Sequence, residues 1–199
     1  MSSTTRVKIG LIAGILGFVA LSLILPWQRG DERARVEMVG RLQGQWVGRD
    51  APTFTLPDLG GQTHDLAEYR GKVVFLNFWA SFCEPCRREM PSMERLVRDY
   101  DDRGLVMLAV SFDQQASDAD GFMQEFLPGQ RSAMTVLHDP TSTVGQSFGT
   151  ELLPETYIID RQGIIVARFV NEYDWTRPEV RTLIEDLLSG SGASSRPLL

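Results

Sequence analysis

From Val73 to Trp79 the chain reads Val-Val-Phe-Leu-Asn-Phe-Trp, apolar at all but one position and rich in β-branched and aromatic side chains. Such a run predicts a strand buried on both faces. A helix is expected from Glu84 to about Asp102, with Met93, Leu96, Val97 and Tyr100 at helical spacing and Gly104 as its C-cap. Pro91 falls inside it and is expected to kink it. Leu105 to Val110 predicts a second buried strand. Ser117 or Asp118 should cap a helix running through Leu127, whose apolar face is Phe122, Met123 and Phe126. Ala133 to Leu137 reads as a strand and Ser142 to Phe148 as a short helix. Thr156 to Asp160 and Ile164 to Val170 read as strands joined by a tight turn, and Arg177 to Leu188 as a last helix. Upstream, Phe54 and Leu56 alternate, Asp58 to Gln62 turns, and Thr63 to Leu66 returns, which is a hairpin. The order is therefore β-hairpin, then β-α-β-α-β-α, then β-β-α. Such alternation predicts an α/β fold with a mostly parallel sheet covered on both faces, made mixed by the closing hairpin.

The ends follow a different pattern. Ile9 to Leu25 carries no charge over 17 residues and is closed by Pro26 and Trp27. It is read as a single N-terminal transmembrane helix spanning 9–27, since no small-x-small cleavage site follows it. Residues 1–8 would form a short cytoplasmic tail. Lys and Arg counts do not settle orientation; the short N-terminal tail and the redox pair downstream favour an N-in arrangement with the rest outside the cytoplasm. Gln28 to Asp50, polar and holding four glycines, is read as a linker, with helical character between Asp31 and Leu42. The folded domain is placed at 51–188. Residues 189–199 are read as a disordered tail.

Composition narrows the function. A net charge of −6 and no basic patch exclude a nucleic-acid partner. The two cysteines of the chain, Cys83 and Cys86, form a C-x-x-C between the buried strand and the helix. Only a thiolate attacks a disulfide, and a helix N-terminus stabilises that anion. Pro85 suits the first turn, Glu84 lies near the positive end of the dipole, and Arg87 and Arg88 add positive potential. Cys83 is thus the expected nucleophile and Cys86 the resolving thiol, cycling through a Cys83–Cys86 disulfide. Zinc requires four ligands, and His64 and His138 lie far apart with no ligand spacing. A purely structural disulfide would constrain the unfolded chain little across two residues.

Trp79-Ala80-Ser81-Phe82-Cys83-Glu84-Pro85-Cys86 resembles the active-site motif of thioredoxin-like proteins, and the Arg87-Arg88-Glu89-Met90-Pro91 that follows resembles the membrane-anchored TlpA/ResA/CcmG branch. The resemblance covers about Ala51 to Leu188 and implies a thioredoxin-like fold. It implies that Pro154, in Leu152-Leu153-Pro154-Glu155, is a cis-proline facing the cysteines. It further implies that Glu89 handles the proton of Cys86, more so because Asn77 stands where thioredoxin has a buried aspartate. Trp79, Phe82, Glu84, Pro85, Leu153 and Pro154 would contact the substrate, with Trp79 equally read as packing beside the cysteines in the core alone; Phe82 departs from the usual tryptophan. By resemblance the chain is a reductant of apocytochrome c disulfides or of copper-site proteins of a terminal oxidase, with no cofactor and no metal. Its expected location is the bacterial inner membrane, facing the periplasm, re-reduced by a membrane thiol donor of DsbD or CcdA type. A peroxiredoxin shares the fold but needs Thr or Ser where Ala80 stands. A thiol-based copper chaperone is the non-enzymatic alternative.

Overall fold

The strand expected at Val73–Trp79 (β4) is buried at every position and lies inside a six-stranded sheet. The computed structural model describes residues 33–190. The spanning segment 9–27, the tail 1–8 and most of the 189–199 tail therefore lie outside the described residues. Residues 33–41 are helical (α1) and lead to β1 (Gln45–Asp50). A two-stranded hairpin follows, β2 (Thr55–Pro57) with β3 (Thr63–Asp65), then a 3-10 turn at Leu66–Tyr69. After β4 come α2 (Glu84–Tyr100), β5 (Leu105–Ser111), α3 (Ala116–Phe126), β6 (Thr135–His138) and α4 (Thr143–Phe148). The chain closes with β7 (Glu155–Ile159), β8 (Ile164–Val170) and α5 (Pro178–Ser189).

The strand order is β1-β8-β7-β4-β5-β6. Successive β4 side chains point to opposite faces of the sheet. Val73, Phe75 and Trp79 join one apolar cluster with α1, α2, α3 and α5, while Val74, Leu76 and Phe78 join a second with the hairpin and α4. Burial on both faces explains why β4 is an unbroken apolar run rather than an alternating one.

Three expectations change. The sheet is not mostly parallel: β4–β5 and β5–β6 are parallel, whereas β4–β7, β7–β8 and β1–β8 are antiparallel. After α4 the chain returns to the C-terminal end of β4, where Glu155 pairs with Phe78, so β7 must run back against it. The linker read over 28–50 is folded from residue 33 onward. Val39 and Leu42 are wholly buried, and β1 forms the sheet edge against β8. Its register shifts between Trp46 and Arg49, where Gly48 adopts φ 70°. Finally, α3 starts at Ala116 behind Gln115, which makes no side-chain cap, so neither Ser117 nor Asp118 caps it.

Candidate active site

Cys83 is the N-cap residue of α2. Its backbone is extended, and its Sγ accepts the Cys86 amide N–H at 3.3 Å. The helix therefore offers a first-turn donor to this sulfur as well as its dipole. Cys83 and Cys86 are disulfide-bonded. Cys83 keeps 9% of its surface exposed and Cys86 none, so the sulfur at the helix N-terminus is the one a second protein can reach. Arg87 and Arg88 supply less free positive charge than the sequence suggested. Arg87 lies 3.7 Å from Glu125 and over the Phe122 ring, and Arg88 is shared between Glu84 and Glu172.

The loop that delivers Cys83 is held by an acid that sequence reading missed. Asp113, 2% exposed, accepts the Ser81 amide at 3.0 and 3.2 Å, the Ser81 hydroxyl at 2.7 Å and the Ser111 hydroxyl at 2.7 Å. The parallel register of Trp79 with Ser111 brings these residues together.

Across the sheet, the Leu153–Pro154 peptide bond is cis. The antiparallel β4–β7 ladder ends where Phe78 pairs with Glu155, the residue after Pro154, near the end of β4 where the cysteine loop departs. Phe82 is 75% exposed and Leu152 60% exposed, with Leu153 half-buried between the latter and Pro154. Glu84 is exposed and Pro85 half-buried. Trp79 is corrected: it is fully buried and packs on Phe122 with ring centroids 5.3 Å apart, so it belongs to the core and offers no surface to a substrate. Glu155 is fully buried and paired with Arg168.

Glu89 lies one turn after Cys86 on α2, a spacing that puts both on one helix face. It is 3% exposed. Its Oε1 accepts from Asn77 Nδ2 at 3.1 Å; its Oε2 accepts from the Tyr173 amide at 3.1 Å and the Trp175 indole at 3.2 Å. Asn77 also donates to Thr156 Oγ1 at 3.0 Å. Burial pushes the Glu89 carboxyl up from 4.5 to about 8, the Trp175, Tyr173 and Asn77 donors working against that rise and the nearby Glu172 charge adding to it. A cleft of about 460 Å³ opens onto Glu89 between α2 and the segment after β8. Tyr173 and Trp175 lie more than 80 residues from Glu89 in sequence, and no local pattern marked them as its partners. Among the described residues no group of three or more His, Cys, Asp or Glu side chains is placed to hold a metal ion.

A C-x-x-C at the mouth of a helix, fed by a central buried strand and set against a cis-proline on a mixed sheet, defines a thioredoxin-like protein. The chain belongs to the AhpC/TSA family, whose model matches residues 47–168. It is 39% identical over 117 residues to thiol-disulfide oxidoreductase ResA of Geobacillus thermodenitrificans, covering 59% of this chain and 65% of that one. It is 31% identical over 126 residues to ResA of Bacillus anthracis, covering 63% and 70%. The chain thus spans slightly less than two thirds of the Geobacillus relative. Among solved structures, one described as a DsbE thiol:disulfide interchange protein of Chlorobium tepidum superposes with a TM-score of 0.64 at 31% identity, covering 71% of this chain and 96% of that one.

Proposed function

We propose that this chain is a membrane-anchored, extracytoplasmic thiol:disulfide oxidoreductase working as a reductant. The observation that carries the oxidoreductase reading is the asymmetry of the pair: Cys83 at the surface and capped by the helix N-terminus, Cys86 fully buried one turn behind it; the reductant direction rests on the family resemblance. In the reduced protein the Cys83 thiolate attacks one sulfur of a substrate disulfide, forming a mixed disulfide and releasing the other sulfur as a thiolate that takes a proton. Cys86 gives its proton to Glu89 in its ionised form, the minority form below about pH 8, and attacks Cys83 Sγ. The mixed disulfide breaks, the substrate leaves with both sulfurs reduced, and Cys83–Cys86 is left oxidised. Two electrons pass to the substrate, and a membrane thiol donor of DsbD or CcdA type returns them.

Phe82, Glu84, Pro85 and Leu153 are the accessible residues proposed to receive the substrate, three of them flanking Cys83 in the chain; Pro154, itself buried, is proposed to take part through the backbone that precedes it. The 17-residue apolar run supports the anchor across residues 9–27, which puts the domain in the periplasm of an inner-membrane protein. The substrate we propose is the disulfide of apocytochrome c, on the family resemblance, with copper-site proteins of the terminal oxidase as the second choice. The family name also covers peroxide chemistry, but Ala80 stands where that chemistry requires a hydroxyl three residues before Cys83.

The test is the reduction potential of the full chain, equilibrated against dithiothreitol or glutathione. A value near the thioredoxin potential of about −270 mV is expected, whereas one near about −120 mV, typical of a disulfide donor, would reverse the direction of electron flow.

A further inference from the structure

The segment that leaves β8 turns at Asn171, φ 71°, and crosses α2 before α5 begins. Two of its donors end on one oxygen of Glu89, the Tyr173 amide at 3.1 Å and the Trp175 indole N–H at 3.2 Å. The indole is fixed. Trp175 is fully buried, edge-on to Phe75 at 4.6 Å and to Phe169 at 5.1 Å, and its own amide donates to Ser92 Oγ at 3.2 Å. The same segment forms one wall of the cleft that reaches Glu89. The charged and titratable groups facing that cleft are Arg88 and Arg95 from α2, and Glu172, Tyr173 and Asp174 from the segment. Arg88 is held by Glu172 at 2.7 Å, and Arg177 by the Tyr173 hydroxyl at 2.9 Å. From the sheet side Glu89 meets neutral Asn77, itself bonded to Thr156.

We propose that residues 172–175 act as a clasp on Glu89, with Trp175 the positioning residue that governs how readily the carboxyl exchanges its proton with the cleft. The proposal rests on the reading that Glu89 serves the proton of Cys86. A buried carboxyl prefers to be neutral, and each N–H aimed at it favours the ionised form. Without the clasp the group would stay protonated to still higher pH, leaving less carboxylate to take the Cys86 proton. With more donors it would ionise fully and could not return one. The indole also has a fixed direction, so it holds Oε2 toward the cleft wall while Asn77 holds Oε1 toward the sheet.

The experiment follows the Glu89 carboxyl carbon by ¹³C NMR across a pH titration of the oxidised full chain, with Glu89→Gln identifying the resonance. The native midpoint is expected at about 8. Trp175→Phe keeps a ring in the core and removes the donor; a hydrogen bond to a charged group is worth enough to raise the midpoint by about one pH unit. Glu172→Gln, at an exposed position, removes a charge that disfavours ionisation and should lower the midpoint. If Trp175 is only a core aromatic, its replacement lowers the unfolding temperature and leaves the midpoint where it was, which overturns the proposal. If Trp175→Phe does not fold, an unmoved midpoint in Glu172→Gln overturns it instead. The underlying reading fails separately: Glu89→Gln would then reduce protein disulfides at the native rate, whatever the titrations show.

Discussion

Glu89 is the residue at which burial and chemistry pull hardest against each other. Its ordinary pKa of 4.5 is raised to about 8 in the fold, first by desolvation. Between those two values the folded chain holds a proton that the unfolded chain has released. Stability from this group is therefore fully present below about pH 4.5 and is lost as pH rises toward 8, with a slope of up to about 1.4 kcal/mol per pH unit. Urea unfolding of the oxidised chain at pH 5, 6, 7 and 8 should show that decline. Glu89→Gln, which stays neutral throughout, should flatten it; parallel pH dependences in the two proteins would mean that the carboxyl ionises normally in the fold. In the proposed redox cycle, a midpoint near 8 would suit Glu89 to accept a proton near the pH at which a thiol gives one up.

At the scale of elements, the active site is a loop pinned between two strand ends. Asp113 follows β5 and takes the Ser81 amide and hydroxyl, so the segment that presents Cys83 is fixed from the neighbouring strand. Asp113→Ala leaves the Ser81 N–H without its acceptor, and a loss of about 2–4 kcal/mol in unfolding free energy is expected. Ser81→Ala, which keeps the amide bond, should cost about 1 kcal/mol. Equal costs for the two would remove Asp113 from the role given to it. The segment leading into β1 gives a second prediction. Leu42 is fully buried in the main cluster. Leu42→Ala should therefore cost about 2–5 kcal/mol, where a linker residue would cost nothing measurable.

These two elements also show where the sequence was legible. The strand, the C-x-x-C and the helix onset are local: adjacent residues carry periodicity, cap and dipole together, and Cys83, Cys86 and Pro154 could be singled out from them and from the motif they resemble. The edge strand β1 was not legible, because only Gly48 of its six residues is buried and its alternation is weak. Trp79 could be read equally as a contact or a core residue, because a strand sequence does not say how far its last side chain lies from the surface. Asp113 and Tyr173, and the bond of Trp175 to Glu89, escaped because their meaning lies in contacts 32 to 86 residues away.

For the whole molecule, the consequence lies in where the fold begins. Helix α1 is bound to α5 through Arg35 and Asp186 at 2.6 Å, with the Arg35 side chain 7% exposed, and Val39 and Leu42 enter the core. The domain thus includes residues 33–50, which the sequence alone assigns to the linker. If residues 9–27 cross the bilayer as proposed, no more than five residues lie between the span and Arg33, and five residues reach at most about 18 Å. The long tether read from composition becomes a short one. A domain held this close to the lipid surface meets partners that are themselves in the membrane or arrive at it, which suits a membrane thiol donor and a substrate matured at the membrane. The test is made on cells expressing the full chain. After alkaline carbonate extraction it should stay in the membrane pellet, whereas a chain beginning at Arg33 should be released. Protease added to intact spheroplasts should digest the domain. Digestion only after lysis would place Cys83 and Cys86 in the cytoplasm, where thiol pools keep most disulfides reduced, and the extracytoplasmic reading would fall.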